Sequence, residues 1–299
     1  FIRFAHGEGG SIVTTTKVTG SQTAGSVNRP ATYNGVVGLK PTFGRVSRYG
    51  IFPVSWSLDT VGWMAREVRD VAIMLDLLSG YDPRDPGSVR QHQTASTLAL
   101  DLEDPDWTPR VGVLLGVFAQ ESNLEMKAMV HEVVETLRLS GAEVDFFDLP
   151  DSFIGIVDAQ VVIDYAECAM VHAETFAAQP DAYGELVRSR IESGSLIPAS
   201  AYIQARRLCR KLRIDMDHAL AASHDVLLMP ATPTTAPADL TMTGDPIFQA
   251  PWTSCGLPVL NIPTGLDSSA QPYAIQLVGQ GWDEETLLRT GSWIERTLK

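Results

Sequence analysis

The residues best arranged for chemistry are a serine and the small residues ahead of it. They form the run Gly20-Ser21-Gln22-Thr23-Ala24-Gly25-Ser26, followed by Val27-Asn28-Arg29-Pro30-Ala31. Small side chains let successive main-chain N–H groups turn toward one point, and such a nest binds an oxyanion. A hydroxyl beside the nest is placed as the nucleophile of an acyl transfer, with the nest stabilising the charge that develops. Alone, the pattern also describes an ordinary Gly/Ser turn. Other reactive groups offer less. His6, His92, His131, His172, His218 and His224 show neither HxH nor HxxxH spacing, so no metal site is expected. Chain order leaves a Ser–His–Asp arrangement open. Cys168, Cys209 and Cys255 are far apart and lack metal-ligand spacing, a usage that fits a reducing cytoplasm. Cys255 reads as a small buried residue and Gly244-Asp245-Pro246 as a turn with no nucleotide role.

Elements that position the nest can be read along the chain. A β-branched run at 12–16 leads into it as a strand. Residues 33–39 contain Gly35-Val36-Val37-Gly38, an apolar stretch that allows close backbone approach, and 41–53 is loop-like. Apolar residues at 68, 71, 72, 75 and 78 recur with helical spacing, and Gly80 stops the run. An apolar strand at 111–115, a helix through Met126, Met129, Val130, Val133, Val134 and Leu137, and a strand at 144–147 make a βαβ unit. That unit argues for an α/β fold with helices on the faces of a sheet. Long helices are expected over 155–178 and 200–222, strands at 226–229 and 273–278, and a closing helix through Leu298 with Asp283 as N-cap. Residues 81–109 are the best candidate boundary, although the 299 residues read as one domain.

Lys plus Arg number 23 against 36 Asp plus Glu, a net charge of −13. An acidic body repels phosphate backbones and anionic lipid, so neither nucleic acid nor membrane is an expected partner. No apolar run approaches the roughly 18 residues of a membrane span.

The blocks Gly20 to Ser26, Arg29-Pro30-Ala31, Gly35 to Thr42 (GVVGLKPT), Gly44-Arg45-Val46-Ser47 and Ser57-Leu58-Asp59 resemble the amidase signature family. The resemblance continues through Ala65 to Asp70, Gly80 to Asp85, Asp225 to Pro230, Pro251-Trp252-Thr253, Gly256-Leu257-Pro258 and Gln276 to Gly279, in the family's order. It implies a mixed sheet flanked by helices on both faces and an amide hydrolase with a Ser–Ser–Lys triad. Ser26 would be the nucleophile, and the main-chain N–H groups of Thr23, Ala24, Gly25 and Ser26 the oxyanion hole. A second serine would relay the proton to a buried neutral lysine. By the family's spacing the relay falls near Ile2 to Phe4, where no serine occurs. Ser11, in Gly9-Gly10-Ser11, is the candidate relay, but it requires deletion of the helix that separates the two serines in the family. The lysine belongs upstream of Phe1, so the chain reads as the C-terminal part of such a domain. Lys40 reads as a structural ion pair, Lys17 lies on a strand near the nest, and Asp59 and Arg29 read as braces of the nucleophile loop. Trp252 and the region around Tyr165 are alternatives for pocket lining or core. The resemblance implies no cofactor and a small-molecule amide substrate, and it leaves self-association open. A glutaminase subunit of a tRNA-dependent amidotransferase, or a catalytically dead relative kept for binding, are the other readings.

Overall fold

Residues 17–90, 107–114, 116–239 and 241–299 are described by a computed structural model. The expected strand at 12–16 and Ser11 lie outside them. The strands are β1 (Lys17–Gln22), β2 (Val37–Lys40), β3 (Thr60–Ala65), β4 (Arg110–Val113), β5 (Glu143–Phe146), β6 (Val226–Pro230), β7 (Val259–Leu266) and β8 (Pro272–Gly279). They share one sheet in the order β1-β3-β2-β7-β8-β6-β4-β5. The helices are α1 (Asn28–Tyr33), α2 (Val68–Leu78), α3 (Gly116–Glu121), α4 (Leu124–Leu139), α5 (Ile156–Ala178), α6 (Glu185–Ser195), α7 (Ala199–Ser223), α8 (Ala250–Ser254) and α9 (Glu284–Thr297).

The fold is mixed α/β, as expected. Strand β4 pairs parallel with β5 and β6, and α4 crosses between β4 and β5, so the βαβ unit stands. The remaining pairings are antiparallel. Strands before and after residues 81–109 lie in this one sheet. Every residue of β6 is buried because both faces are covered. Val226 and Leu228 face a core shared with α2, α4 and α9, whereas Leu227 and Met229 face one shared with α5, α7 and α8. Asn123 caps α4 by accepting from Met126 N at 2.8 Å. Asp283 caps α9, accepting from Thr286 N at 3.2 Å.

Strands β2, β3 and β7 and helices α1, α3, α6 and α8 were not expected. Strand β3 contains Gly62, where a Cβ would stand 2.5 Å from the Leu39 carbonyl oxygen, so a glycine allows the neighbouring strand its approach. Strand β7 carries a buried Asn261 in an otherwise apolar first half. Helix α6 buries only Ile191 and Gly194, too few positions to produce an apolar stripe. Among the described residues no helix is long and apolar enough to cross a membrane.

Candidate active site

Strand β1 delivers the chain to Gln22, whose fully buried side chain organises the loop that follows. Its Oε1 accepts the main-chain N–H groups of Val27 and Asn28, each at 2.9 Å. Its Nε2 donates to Thr253 Oγ1 in α8 at 3.0 Å. One amide therefore closes the loop on itself and ties it to the opposite side of the chain. Helix α1 is fixed to β7 by a second buried pair. Asn28 Nδ2 donates to Asn261 Oδ1 at 3.1 Å, and Asn261 Nδ2 donates to Asn28 O at 3.0 Å and Thr32 Oγ1 at 2.7 Å.

Within the loop, three successive carbonyls are occupied. Gln160 Nε2 reaches Thr23 O at 3.5 Å, Thr253 Oγ1 donates to Ala24 O at 2.8 Å, and Arg29 N donates to Gly25 O at 2.9 Å. A trans peptide holds its N–H opposite its C=O, so the N–H groups of Ala24, Gly25 and Ser26 face away from these three donors. The N–H groups of Thr23, Ala24, Gly25 and Ser26 meet no acceptor among the described residues. Ser26 is half-buried, and its hydroxyl is hydrogen-bonded to none of the described residues. At Gly25 a Cβ would lie 2.9 Å from Gln249 Oε1. Gln249 is buried and held by donation from its Nε2 to Ala231 O, so position 25 has no room for a side chain.

Asp59 braces the loop as expected. Its Oδ1 accepts from Thr23 Oγ1 at 2.5 Å, and its Oδ2 accepts from Val54 N and Ser55 N at 2.8 and 3.0 Å. Burial pushes the Asp59 carboxyl up from its ordinary pKa against these hydrogen bonds. Arg29 braces the loop through its main chain, while its guanidinium turns to Thr243 Oγ1 at 3.2 Å. A cavity of about 610 Å³ lies against this brace, lined by Ser21, Arg48, Tyr49, Trp56, Asp59 and Tyr202 among others. Arg48 forms its wall by chelating Asp85 at 3.0 and 3.2 Å and donating to Trp56 O and Asp59 O.

One expectation is corrected, at Lys40, and the structure places the other candidate side chains. Lys40 is buried and ion-paired to none of the described residues: Nζ donates to Pro41 O at 3.0 Å, and burial lowers its pKa to about 7. Trp252 is core, fully buried against Phe118 and Phe153. Tyr165 is half-buried on α5, with the Arg190 guanidinium 5.5 Å from its ring centre. Cys255 is buried and its thiol is pushed up to about 12 by burial, as a packing residue would be. His172 Nδ1 meets Tyr183 Oη, and His224 Nε2 meets Asp145, so neither serves Ser26. Lys17 opens β1 opposite Ala65.

The sequence reading missed Gln22 and a polar stripe on α5. Gln160, Asp164 and Glu167 stand at i, i+4 and i+7, all buried, on the face toward the loop and its Asp59 brace. Burial raises the Asp164 carboxyl to about 6, and its Oδ1 has no partner among the described residues. The stripe's signal was present: three polar residues one helical turn apart on a helix otherwise rich in apolar residues.

A model of the Amidase family matches residues 15–288, and the chain belongs to that family. Among curated relatives, the glutamyl-tRNA(Gln) amidotransferase A-subunit of Chelativorans sp. (strain BNC1) is 31% identical, over 93% of this chain and 62% of its own length. Among solved structures, native peptide amidase from Stenotrophomonas maltophilia superposes with a TM-score of 0.76 at 28% identity, covering 94% of this chain and 62% of that one. A second structure has a TM-score of 0.81 at 31% identity and covers 95% of this chain and 63% of that one. It is described as a vestigial protein complex that reveals the evolutionary origins of an s-triazine catabolic enzyme. The chain thus spans about three-fifths of the length of the relatives it matches.

Proposed function

We propose that this chain carries the nucleophile and oxyanion hole of an amide hydrolase. Ser26 Oγ attacks the carbonyl carbon of a small carboxamide, and the oxyanion is held by the N–H groups of Thr23, Ala24, Gly25 and Ser26. The C–N bond breaks as the leaving nitrogen takes up the proton that the Ser26 hydroxyl gives up, giving ammonia or an amine and an ester on Ser26, which water hydrolyses to the carboxylate and the free hydroxyl. The observation that carries this reading is a row of N–H groups that no described residue claims, beside a half-buried hydroxyl that no described residue engages. One such donor typically contributes about 3–4 kcal/mol of transition-state stabilisation. We do not assign Lys40 as base, since its ammonium is engaged by Pro41 O in surroundings shared with Cys255 and Arg213.

The names of the curated relatives favour a second reading, in which the same site releases ammonia from glutamine for a tRNA-dependent amidotransferase. Co-purification with partner subunits and glutamine turnover would distinguish it from a free-standing amidase. The three unpaired, buried cysteines support a reducing, cytoplasmic setting for either. A fluorophosphonate probe tests the shared chemistry. The adduct is expected on Ser26 and is expected to vanish in Ser26→Ala. Labelling at another residue, or labelling that persists in the variant, overturns the proposal.

A further inference from the structure

Glu167 is 1% exposed, and it sits at the end of a polar stripe rather than in the apolar core of the sheet. Its carboxylate gathers four donors. Ser55 Oγ donates at 2.5 Å, Ser57 N at 3.0 Å, Tyr202 Oη at 2.6 Å, and Ser57 Oγ also donates to it. Arg206 stands 3.7 Å away and balances the charge. Three of the four bonds go to one short segment, residues 55–57, and the carboxylate comes from α5, 110 or more positions later. So many charge-assisted bonds on a buried acid fix the geometry of what they hold.

That segment belongs to the turn which carries the brace. Asp59 N and Leu58 N donate to Ser55 O at 2.8 and 3.1 Å, and Asp59 Oδ2 accepts from Val54 N and Ser55 N. Asp59 is thereby locked to Ser55, and its other oxygen takes the Thr23 hydroxyl. A continuous path of hydrogen bonds runs from Glu167 through Ser55 and Asp59 to the first residue of the N–H row. Two turns earlier on the same α5, Gln160 touches Thr23 O. Helix α5 thus holds Thr23 twice, once directly and once through the turn.

We infer that Glu167 is a positioning residue, which sets the Thr23–Ser26 loop through Ser55, Ser57 and Asp59 without touching a reacting atom. Its effect on reactivity rests on Ser26 being the nucleophile, whereas its effect on the loop does not. Two measurements on the whole chain separate these. Hydrogen exchange read by mass spectrometry is expected to accelerate about tenfold in Glu167→Gln at residues 54–59 and again at 23–28, with β6 and β8 unchanged. Ser57→Ala, which deletes one bond and leaves the acid in place, is expected to show a smaller change at the same two segments. Faster exchange at 54–59 with none at 23–28 overturns the inference, as does faster exchange spread evenly over the sheet. In the labelling assay Glu167→Gln is expected to slow the Ser26 adduct about tenfold and to add nothing in a Thr23→Val background. Effects that multiply in the double variant overturn the path. Absence of a Ser26 adduct in the unmodified chain would refute the hydrolase reading, and the exchange measurement would still decide the role of Glu167.

Discussion

Replacing Gln22 with methionine keeps the length of the side chain and deletes every hydrogen bond it makes. The consequences follow from what surrounds it. Val27 and Asn28 are fully buried, and Gln22 Oε1 is the acceptor of both of their main-chain N–H groups. Each buried donor left without a partner costs about 1–3 kcal/mol, so a loop that kept its shape would lose about 2–6 kcal/mol. A typical domain is stable by about 5–15 kcal/mol, so the loss is a large fraction of the whole. If the loop instead moves to find water or another acceptor, part of the stability returns and the N–H row at 23–26 is distorted. Urea unfolding followed by emission of the six tryptophans reads the first effect, and the rate of fluorophosphonate labelling reads the second. Thr253→Val is the companion measurement. It leaves Val27 and Asn28 satisfied but takes the acceptor from buried Gln22 Nε2 and the donor from Ala24 O, whose half-buried residue can turn to water, and it is expected to cost about 1–3 kcal/mol. A Gln22→Met protein within about 0.5 kcal/mol of the original, labelled at the original rate, would refute the claim that this amide builds the loop.

Gly194→Ala is expected to destabilise by about 3 kcal/mol or more, because a Cβ there would lie 2.0 Å from Tyr165 O and force α6 off α5. At Gly184 nothing lies within 4 Å, so Gly184→Ala is expected to stay within about 0.5 kcal/mol in the same urea titration. Asp164 titrates near 6 in the fold because burial disfavours its charged form, above the 3.8 of an ordinary aspartate. A raised folded pKa means that this group's contribution is complete below about pH 4 and is lost as pH rises through 6, by up to about 3 kcal/mol. Unfolding curves between pH 4 and 7.5 are therefore expected to show a gain on acidification that Asp164→Asn lacks; parallel pH profiles for the two proteins would refute it.

The parts of the fold legible in the sequence are those whose cause is local. The βαβ unit was readable because apolar runs at β4 and β5 bracket the Met126–Leu137 stripe, and because Ser140-Gly141 ends it. Strands β3 and β7 escaped because burial on both faces removes alternation, and Gly62 and Asn261 interrupt the apolar run. The nest was legible because it needs small residues at consecutive positions. What holds it was not. Thr253 lies 231 positions from Gln22, and Glu167 lies 112 from Ser55, and a pairing of two polar residues over such separations leaves no period in either segment. Only the α5 stripe wrote itself into one segment, as Gln160, Asp164 and Glu167 at helical spacing.

An open row of main-chain N–H groups is an unstable object, and its surroundings show how the chain keeps it open. Unclaimed donors favour collapse onto the nearest carbonyls, and in a tight loop the nearest carbonyls are the loop's own. Each candidate is already occupied: Thr23 O by Gln160, Ala24 O by Thr253 and Gly25 O by Arg29. The occupying groups come from α5, α8 and α1, so no single local rearrangement releases all three. The strength of the hold is uneven, at 3.5 Å for Gln160 against 2.8 Å for Thr253, which makes the Thr23 end the weaker one. That is the end where Asp59 grips the Thr23 hydroxyl at 2.5 Å and where Glu167 locks the turn carrying Asp59. The second, indirect attachment of α5 falls where the direct one is longest. In the proposed hydrolase, a hole organised in this way would meet an oxyanion without rearranging, because its orientation is fixed during folding.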